Sequence, residues 1–375
     1  MCKGRRQVLL LWCITLTCLL RATSAFYSSA THSFTATPYS PSSPIPFSVY
    51  RRPLEATLSM NIFNTFVSGY DEKKENSRRY RRTIYSAPDW RRHRSSGRHF
   101  SELLKMPSSN VLRGVFPQSL FVAFFATFVY AYNYFLLKTT RATFLPLLAF
   151  PPLPFSLTSP SLGLLLVFRT NAAYSRWKDS RIAWASISSK SFNLMRQGCS
   201  YFTDRKLATD LIKYTTAFSY GLKFHLGQLS LTAKESLEDD LQGILNLAEM
   251  EDFLKAKNKP QRALLEITRI LQKAELIASI QSHMDKSVCE LSDAFFVCDR
   301  IYTTPIPLFY TRHTARFLLI WLMTVPMALY SEFKVSKWAI IPISALNALF
   351  LFGIEELGVQ IEEPFSILPM YKTYR

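Results

Sequence analysis

Residues 161–177 read SLGLLLVFRTNAAYSRW, and this segment decides the fold. It starts as an uncharged apolar run and continues into a polar stretch that carries Arg169 and Arg176, seven residues apart. An apolar run followed by positive charges and aromatic residues is typical of a helix that leaves the hydrocarbon core of a membrane. The segment therefore predicts a membrane-embedded helix that ends at an aqueous compartment.

The apolar side of this boundary carries Pro160, Leu164 and Phe168 at a spacing of four, so the three side chains lie on one face of a helix. Packing against lipid or in a protein core is the ordinary explanation of such a face. Ser159 and Pro160 predict the helix start itself, with the serine as N-cap and the proline in the first turn. The unpaired N–H groups and the positive dipole end of such a start attract anions.

Four apolar segments, at 117–137, 143–168, 314–331 and 337–355, are predicted to be embedded in a membrane. The first has no charge over roughly 20 residues, which is enough for a helix to cross a hydrocarbon core of ~30 Å. The second contains five prolines, and these exclude one straight helix. The last two are short for isolated spans, so we expect their ends to be shielded by protein.

The stretch at 169–312 is charged and has the periodicity of amphipathic helices. Breaks are expected near Gly198, near Gly227 and at the sequence Asn258-Lys259-Pro260. No period typical of β-strands is present in the sequence. The predicted fold class is therefore all-α: an integral membrane protein with four membrane-embedded helical units and an extramembrane helical body.

The first 70 residues have the composition of targeting sequences. Residues 1–25 combine a basic start, a short apolar stretch and small residues, which predicts a signal peptide. Residues 26–70, rich in Ser, Thr and Pro in their first half, are predicted to be a plastid transit peptide. The junction, TSAF at 23–26, resembles the Ala-Ser-Ala-Phe motif of bipartite plastid presequences in diatoms and related algae; simple secretion is the alternative.

The formal net charge is +18, and the excess lies mainly before the first long apolar run, in a stretch that includes an arginine-rich basic segment at 71–116. Nucleic acid, an anionic membrane surface or small anions could each account for it. The segment has few interleaved aromatic residues and no recognisable fold for base contacts, which argues against nucleic acid. It is interpreted either as a solvated arm or as an electrostatic funnel for anions.

No enzyme chemistry is visible in the sequence. The phosphate-binding loop, dinucleotide-binding, zinc-protease and serine-hydrolase motifs are absent. The six cysteines form no C-x-x-C pair, and the histidines do not occur at metal-ligand spacing. The sequence therefore predicts a protein that is not an enzyme and that needs neither a cofactor nor a metal.

Three blocks of the sequence resemble the bestrophin family. FRTNAAYSRW at 168–177, followed by Arg181 and Trp184, resembles the F-R-T-N-x-x-Y-x-R-W/F segment of bestrophin-like proteins of plants and bacteria. TPIPLFYTRHT at 304–314 and GIEELGVQIEEPF at 353–365 resemble the blocks that open the third span and end the fourth. The resemblance covers about 82–369 and is strongest to the voltage-dependent chloride channels of plant and algal thylakoids.

The resemblance implies a homopentamer in which the second span of each subunit lines a central pore. Its narrow neck falls on Pro160, Leu164 and Phe168, although proline departs from the larger residue usual at the first position. Anion attraction at the pore flank is expected at Ser159, Ser161, Arg169, Asn171 and Arg176. Structural roles are expected at the other motif residues, which are Tyr174, Trp177, Pro305, Pro307, Arg312, Glu355, Glu356, Glu362, Glu363 and Pro364.

Animal bestrophins carry an acidic, calcium-binding run after the Pro-Phe pair, where this chain has Ser366, Ile367 and Leu368. These side chains offer calcium no carboxylate oxygen, so opening is expected to depend on voltage and not on calcium. The predicted function is passive conduction of chloride and other small monovalent anions across a thylakoid membrane or, alternatively, the plastid envelope. A proton-coupled anion transporter that uses the glutamates near the last span and a non-conducting membrane scaffold are the competing functions.

Overall fold

The computed structural model describes residues 78, 84–138, 146–227, 237–333 and 336–370. The predicted signal peptide and transit peptide lie outside these ranges. The basic segment at 71–116 is described at Arg78 and from residue 84 onward.

The described part of the chain is almost entirely helical, and its β-structure is limited to an isolated bridge between Gln242 and Leu245. This confirms the all-α prediction. Short 3₁₀ turns occur at Met106–Ser108 and Lys337–Ala339, and a further helical turn covers 237–241. The α-helices are α1 Ala87–His93, α2 Arg98–Leu104, α3 Asn110–Lys138, α4 Leu153–Tyr201, α5 Arg205–Leu226, α6 Leu247–Lys255, α7 Lys259–Lys273, α8 Ala278–Thr303, α9 Leu308–Glu332 and α10 Ile340–Glu362.

Three helices in the described ranges are long and apolar enough to cross a membrane. They are Val111–Lys138 in α3, Leu308–Glu332, which is α9, and Lys337–Glu362, which joins a 3₁₀ turn to α10. They contain the predicted segments 117–137, 314–331 and 337–355. The helices α3, α9 and α10 pack against one another, and α9 and α10 also pack against α4. Leu162 and Leu166, near the beginning of α4, belong to the apolar cluster of these helices.

The start of α4 differs from the prediction. The helix begins at Leu153 with Pro154 in its first turn, so the predicted start at Ser159 and Pro160 is wrong. Pro154 takes the position that tolerates a proline, because the N–H group it lacks has no partner in a first turn. Pro160 lies inside the helix, where it removes one hydrogen bond to the preceding turn.

Contacts with α3 and α9 explain why the helix starts early. Trp321 Nε1 donates to Thr158 Oγ1 at 3.3 Å, in the turn before Pro160. Ahead of the helix, the fully buried Asn133 donates from Nδ2 to Leu148 O at 3.0 Å and accepts from Leu148 N at 2.8 Å. The broken backbone between α3 and α4 is thus satisfied by protein at this point, as non-helical backbone at membrane depth must be.

The helix α4 joins the two halves of the described chain. Its 49 residues extend ~73 Å at 1.5 Å per residue, and it passes Phe168 and Arg169 without a break. Its second half packs with α5, α7 and α8 into a helical body, which corresponds to the part of the chain predicted to lie outside the membrane. The largest fully buried side chains of that core are Trp184, Phe218, Phe253, Phe295 and Phe365.

The predicted helix breaks in the body are close to the observed ones. Gly227 caps the C-terminus of α5, and Asn258 caps the N-terminus of α7 by accepting from Gln261 N at 3.2 Å. Gly198 lies three residues before the end of α4 and is a packing position, since a Cβ there would overlap Leu211.

Candidate functional site

The first half of α4 has a covered side and an uncovered side. Leu162 and Leu166 are 2% and 3% exposed and pack into a cluster with apolar residues of the neighbouring membrane helices. Leu164 and Phe168 are 54% and 55% exposed, and Pro160 is exposed with them. The three predicted neck residues therefore share a face that their own subunit does not cover. Whether that face lines a pore stays a prediction.

The polar residues next to this face are also exposed. Ser159 and Ser161 lie in the second and third turns of α4 rather than at its start, so the backbone N–H groups beside them are not those of a helix N-terminus. The predicted anion attraction by a helix start at these two serines loses its basis, because the dipole effect is confined to the first turn. Asn171 is exposed one turn after Phe168 and presents an amide at the end of the apolar face.

Arg169 is turned away from solvent. The residue is 5% exposed, and its Nη1 lies 2.5 Å from Glu355 Oε1 on α10. A buried guanidinium is tolerated only when an opposite charge is within reach, and Glu355 supplies that charge. The pair ties α4 to α10 just beyond the exposed apolar face of α4.

Arg176, seven residues further along α4, binds backbone carbonyls at two helix ends. Its Nη1 and Nη2 donate to Thr304 O and Ile301 O, both at 2.6 Å, at the C-terminus of α8. Its Nε donates to Glu362 O at 3.0 Å, at the C-terminus of α10. The last carbonyls of a helix have no partner within it and carry partial negative charge. Arg176 therefore caps two helices at once, and its task here is structural.

The glutamates at the end of α10 belong to the same junction. Glu362 Oε1 accepts from Ile306 N at 3.2 Å, which fixes the turn between Pro305 and Pro307. Pro307 is the N-cap residue of α9. Glu356 is buried and accepts from Gln360 Nε2 at 2.5 Å.

The remaining motif residues surround this junction. Tyr174 stacks on Trp177 with 5.8 Å between the ring centroids, and Trp177 packs against the core of the body. Pro364 is buried, whereas Arg312 is exposed. Tyr310 donates from its hydroxyl to Leu165 O at 3.2 Å, which links the beginning of α9 to α4.

Arg78 is a member of the junction that sequence reasoning missed. Its Nη2 lies 2.8 Å from Glu363 Oε2 and donates to Glu363 O at 2.9 Å, and its Nε donates to Ser366 Oγ at 2.7 Å. Arg78 is one arginine among many in a basic segment, and no motif distinguishes it from the others. The structure assigns it a site where the chain turns after α10.

Comparison with known proteins agrees with this architecture. A family model described as Bacterial/Fungal Bestrophin protein matches residues 89–374. Voltage-dependent chloride channel 2, chloroplastic, of Arabidopsis thaliana is 34% identical over 304 residues, which are 80% of this chain and 72% of that protein. Voltage-dependent chloride channel 1, chloroplastic, of the same plant is 35% identical with the same coverage.

Solved structures show the same fold. Two mutant forms of a bacterial Bestrophin homolog from Klebsiella pneumoniae match with TM-scores of 0.60 and 0.61 at 20% identity. Each match covers 69% of this chain, and the two cover 96% and 94% of the bacterial chains.

Proposed function

This chain belongs to the bestrophin family, and we propose that it is an anion channel of a chloroplast membrane that passes chloride and other small monovalent anions. As a member of this family it is a membrane protein and not an enzyme. The observation that carries the proposal is the apolar face of α4 at Pro160, Leu164 and Phe168, which the subunit leaves uncovered at the edge of its membrane region.

In the proposed homopentamer, five copies of this face surround one axis. A ring of five Phe168 side chains leaves an ion little water and no compensating charge, so dehydration sets the barrier to passage. Asn171 follows on the exposed side and offers an uncharged N–H donor to an anion that leaves the ring. Chloride loses its hydration at lower cost where such a donor is close.

Gating is proposed to depend on voltage and not on calcium. The turn after α10 holds the oxygens of Glu363 and Ser366, and the Arg78 guanidinium already binds both side chains. A permanent cation from the chain itself thus neutralises the carboxylate of this turn, which leaves a calcium ion less to bind. Addition of a calcium chelator is expected to leave the current unchanged, whereas a current that chelator abolishes and micromolar calcium restores would contradict this.

The proposed location is the thylakoid, with the plastid envelope as the alternative. The support is the tandem of signal-peptide and transit-peptide features at 1–25 and 26–70, together with the chloroplastic names of the Arabidopsis relatives. A full-length C-terminal fluorescent fusion is expected inside the plastid, and deletion of residues 1–70 is expected to abolish import. Fluorescence at the plasma membrane would refute the location.

A proton-coupled transporter is less well supported by the contacts. Glu355 and Glu363 each bind an arginine, and Glu362 accepts from a backbone N–H group. Carboxylates engaged in this way hold the helices together and are poor candidates for a proton relay, which needs groups that exchange protons during transport.

Recording from the purified protein in a planar bilayer tests the proposed function. In asymmetric potassium chloride, the current is expected to reverse near the equilibrium potential of chloride. Reversal that shifts with a proton gradient at constant chloride would favour the transporter. A current that reverses at the equilibrium potential of potassium would refute the anion channel. Absence of any current from a protein that light scattering shows to be a pentamer would also refute it.

A further inference from the structure

A second feature of the body points to a ligand, far from the neck residues along the chain. A cavity of about 300 Å³ lies between the second half of α4 and the first half of α8. Lys190, on its wall, follows Phe168 along α4 by ~33 Å. A ligand bound there does not occupy the proposed neck. Binding to the cavity can therefore be tested separately from anion conduction, and either proposal can fail without the other.

The wall of this cavity is strongly basic. Lys190, Arg196, His283 and Lys286 face a single carboxylate, that of Glu290. Lys190 forms an ion pair with Glu290, and this bond, with further attraction from Lys190, Lys286 and His283, holds the pKa of the Glu290 carboxyl below its ordinary value. Glu290 therefore stays ionised and neutralises one lysine.

Two cations remain for a ligand. Arg196 and Lys286 are exposed and form no ion pair with an acid among the residues that the structure describes. Like charges collected in a concave site attract small anions more strongly than scattered surface charges do. The charge alone would fit any small anion.

The buried side chain of Gln197 limits which small anions fit the cavity. Gln197 lines the cavity and is 4% exposed, yet its Oε1 finds no hydrogen-bond partner in the described part of the chain. A buried amide oxygen without a partner is costly. A turn of the Gln197 amide toward the cavity lets this oxygen accept from a ligand that donates a hydrogen bond. Chloride, nitrate and sulfate carry no proton at neutral pH and cannot supply it.

We propose that the cavity binds a phosphate group. Its oxygens are placed against Arg196 and Lys286, and a hydroxyl of the same ligand donates to Gln197 Oε1. Hydrogen phosphate carries such a hydroxyl on phosphorus, and a small phosphate ester carries one on its alcohol part. The two sources share the chemistry that the site recognises, and they differ in where the hydroxyl is placed.

Isothermal titration calorimetry on the purified full-length mature protein tests the proposal, with sodium phosphate, glycerol 3-phosphate and sodium sulfate at equal ionic strength. Phosphate or the ester is expected to bind more tightly than sulfate. Tighter binding of inorganic phosphate identifies the free ion as the source, and tighter binding of glycerol 3-phosphate identifies an ester. Equal binding of sulfate and both phosphates would overturn the proposal, as would absence of binding.

Variants separate the site from general surface charge. Lys286→Gln and Arg196→Gln each remove one charge-assisted contact and are expected to weaken phosphate binding about tenfold. Lys257→Gln, which changes an exposed lysine elsewhere in the body, is the matched control and should have no effect. Gln197→Met keeps the size of the side chain and should lower phosphate affinity to that of sulfate. An effect of Lys257→Gln as large as that of Lys286→Gln would refute the site.

Discussion

The membrane helices and the helical body of this protein differ in where they place large aromatic side chains. In the body, the fully buried side chains include Trp184 and Phe218. In the membrane helices, Ala126 and Ala348 are fully buried, while Phe124 is 72% exposed. Water drives large apolar side chains into the core of the body, whereas lipid also accepts them on the outside of the membrane helices. Small buried residues such as these alanines let membrane helices approach closely. One helix, α4, satisfies both rules because it changes its environment partway along its length.

The change occurs at a layer of arginine contacts. Arg169 pairs with Glu355, Arg176 caps α8 and α10, and Arg78 binds the turn after α10. Neither lipid nor a hydrophobic core can stabilise the helix ends that meet here, because their free carbonyls need donors. The segment at 161–177 supplies two of these three arginines, and this is how it determines the fold.

The Arg169–Glu355 pair offers the largest test of this layer. Glu355→Met leaves the buried Arg169 guanidinium without its opposite charge, so it is expected to lower the free energy of unfolding by about 3–5 kcal/mol. The double variant with Arg169→Met should recover much of the loss. Thermal unfolding in detergent, followed by tryptophan fluorescence, measures both. If the double variant is as unstable as the single one, the pair is not what holds α4 to α10.

Two glycines of α4 compare the regions directly. A Cβ at Gly198 would overlap the fully buried Leu211 in the body, whereas a Cβ at Gly163 in the membrane region meets no atom within 4 Å. Gly198→Ala is expected to destabilise by roughly 1–3 kcal/mol through overpacking. Gly163→Ala should be neutral, or stabilising by up to about 1 kcal/mol through helix propensity.

The same unfolding assay compares these two variants. Loss of stability in Gly163→Ala with retained folding of the subunit would mean that a neighbouring subunit packs closely on this position. Absence of an effect in Gly198→Ala would mean that the core of the body yields more easily than its burial implies.

A substitution at Phe168 tests whether the uncovered side of α4 lines the pore. Phe168→Ala shortens the apolar side chain that we assign to the constriction, so the barrier to dehydration falls, and open probability or conductance is expected to rise by about tenfold, equivalent to ~1.4 kcal/mol. Anion preference over cations should persist. Val167→Ala, at an exposed position next to it, is the control, and a normal pentamer with unchanged currents in Phe168→Ala would exclude Phe168 from the pore.

Sequence reasoning reached the membrane helices, the all-α class and the family because each rests on local composition or on contiguous motifs. It misplaced the start of α4, because Ser159 and Pro160 imitate a start while Trp321 and Asn133 stabilise an earlier one from distant parts of the chain. It assigned Arg169 and Arg176 to anions for the same reason. Their partners lie more than a hundred residues away, and spacing along one helix carries no information about them.

Arg78 is expected to give a smaller effect than the Arg169–Glu355 pair. Its partner Glu363 has a side chain that is 44% exposed, so solvent weakens the ion pair, and Arg78→Ala should cost about 1 kcal/mol. Arg78→Lys keeps the charge but loses the planar fork of donors, so an intermediate effect is expected. Arg91→Ala, an exposed arginine of α1, serves as the control in the same unfolding assay, and an equal loss there would argue against a specific contact.

Burial is expected to decide which cysteine thiols of the body react with maleimide while the protein stays folded. Cys199 and Cys289 are exposed, whereas Cys298 is fully buried in the body core and burial raises its pKa to about 12. Because the thiolate is the reactive form, maleimide at pH 7–8 is expected to label Cys199 and Cys289 and to leave Cys298 unlabelled, as read by peptide mass spectrometry.

The raised pKa of Cys298 also makes the stability of the fold depend on pH. The buried thiol favours the folded state below its ordinary pKa, and this contribution is lost as the pH rises towards 12. Labelling of Cys298 should therefore begin only in strong alkali or after unfolding. Rapid labelling of Cys298 at neutral pH would show that the core of the body opens to solvent. The core would then not be closed to water, and the contrast with the exposed apolar surface of the membrane helices would not hold.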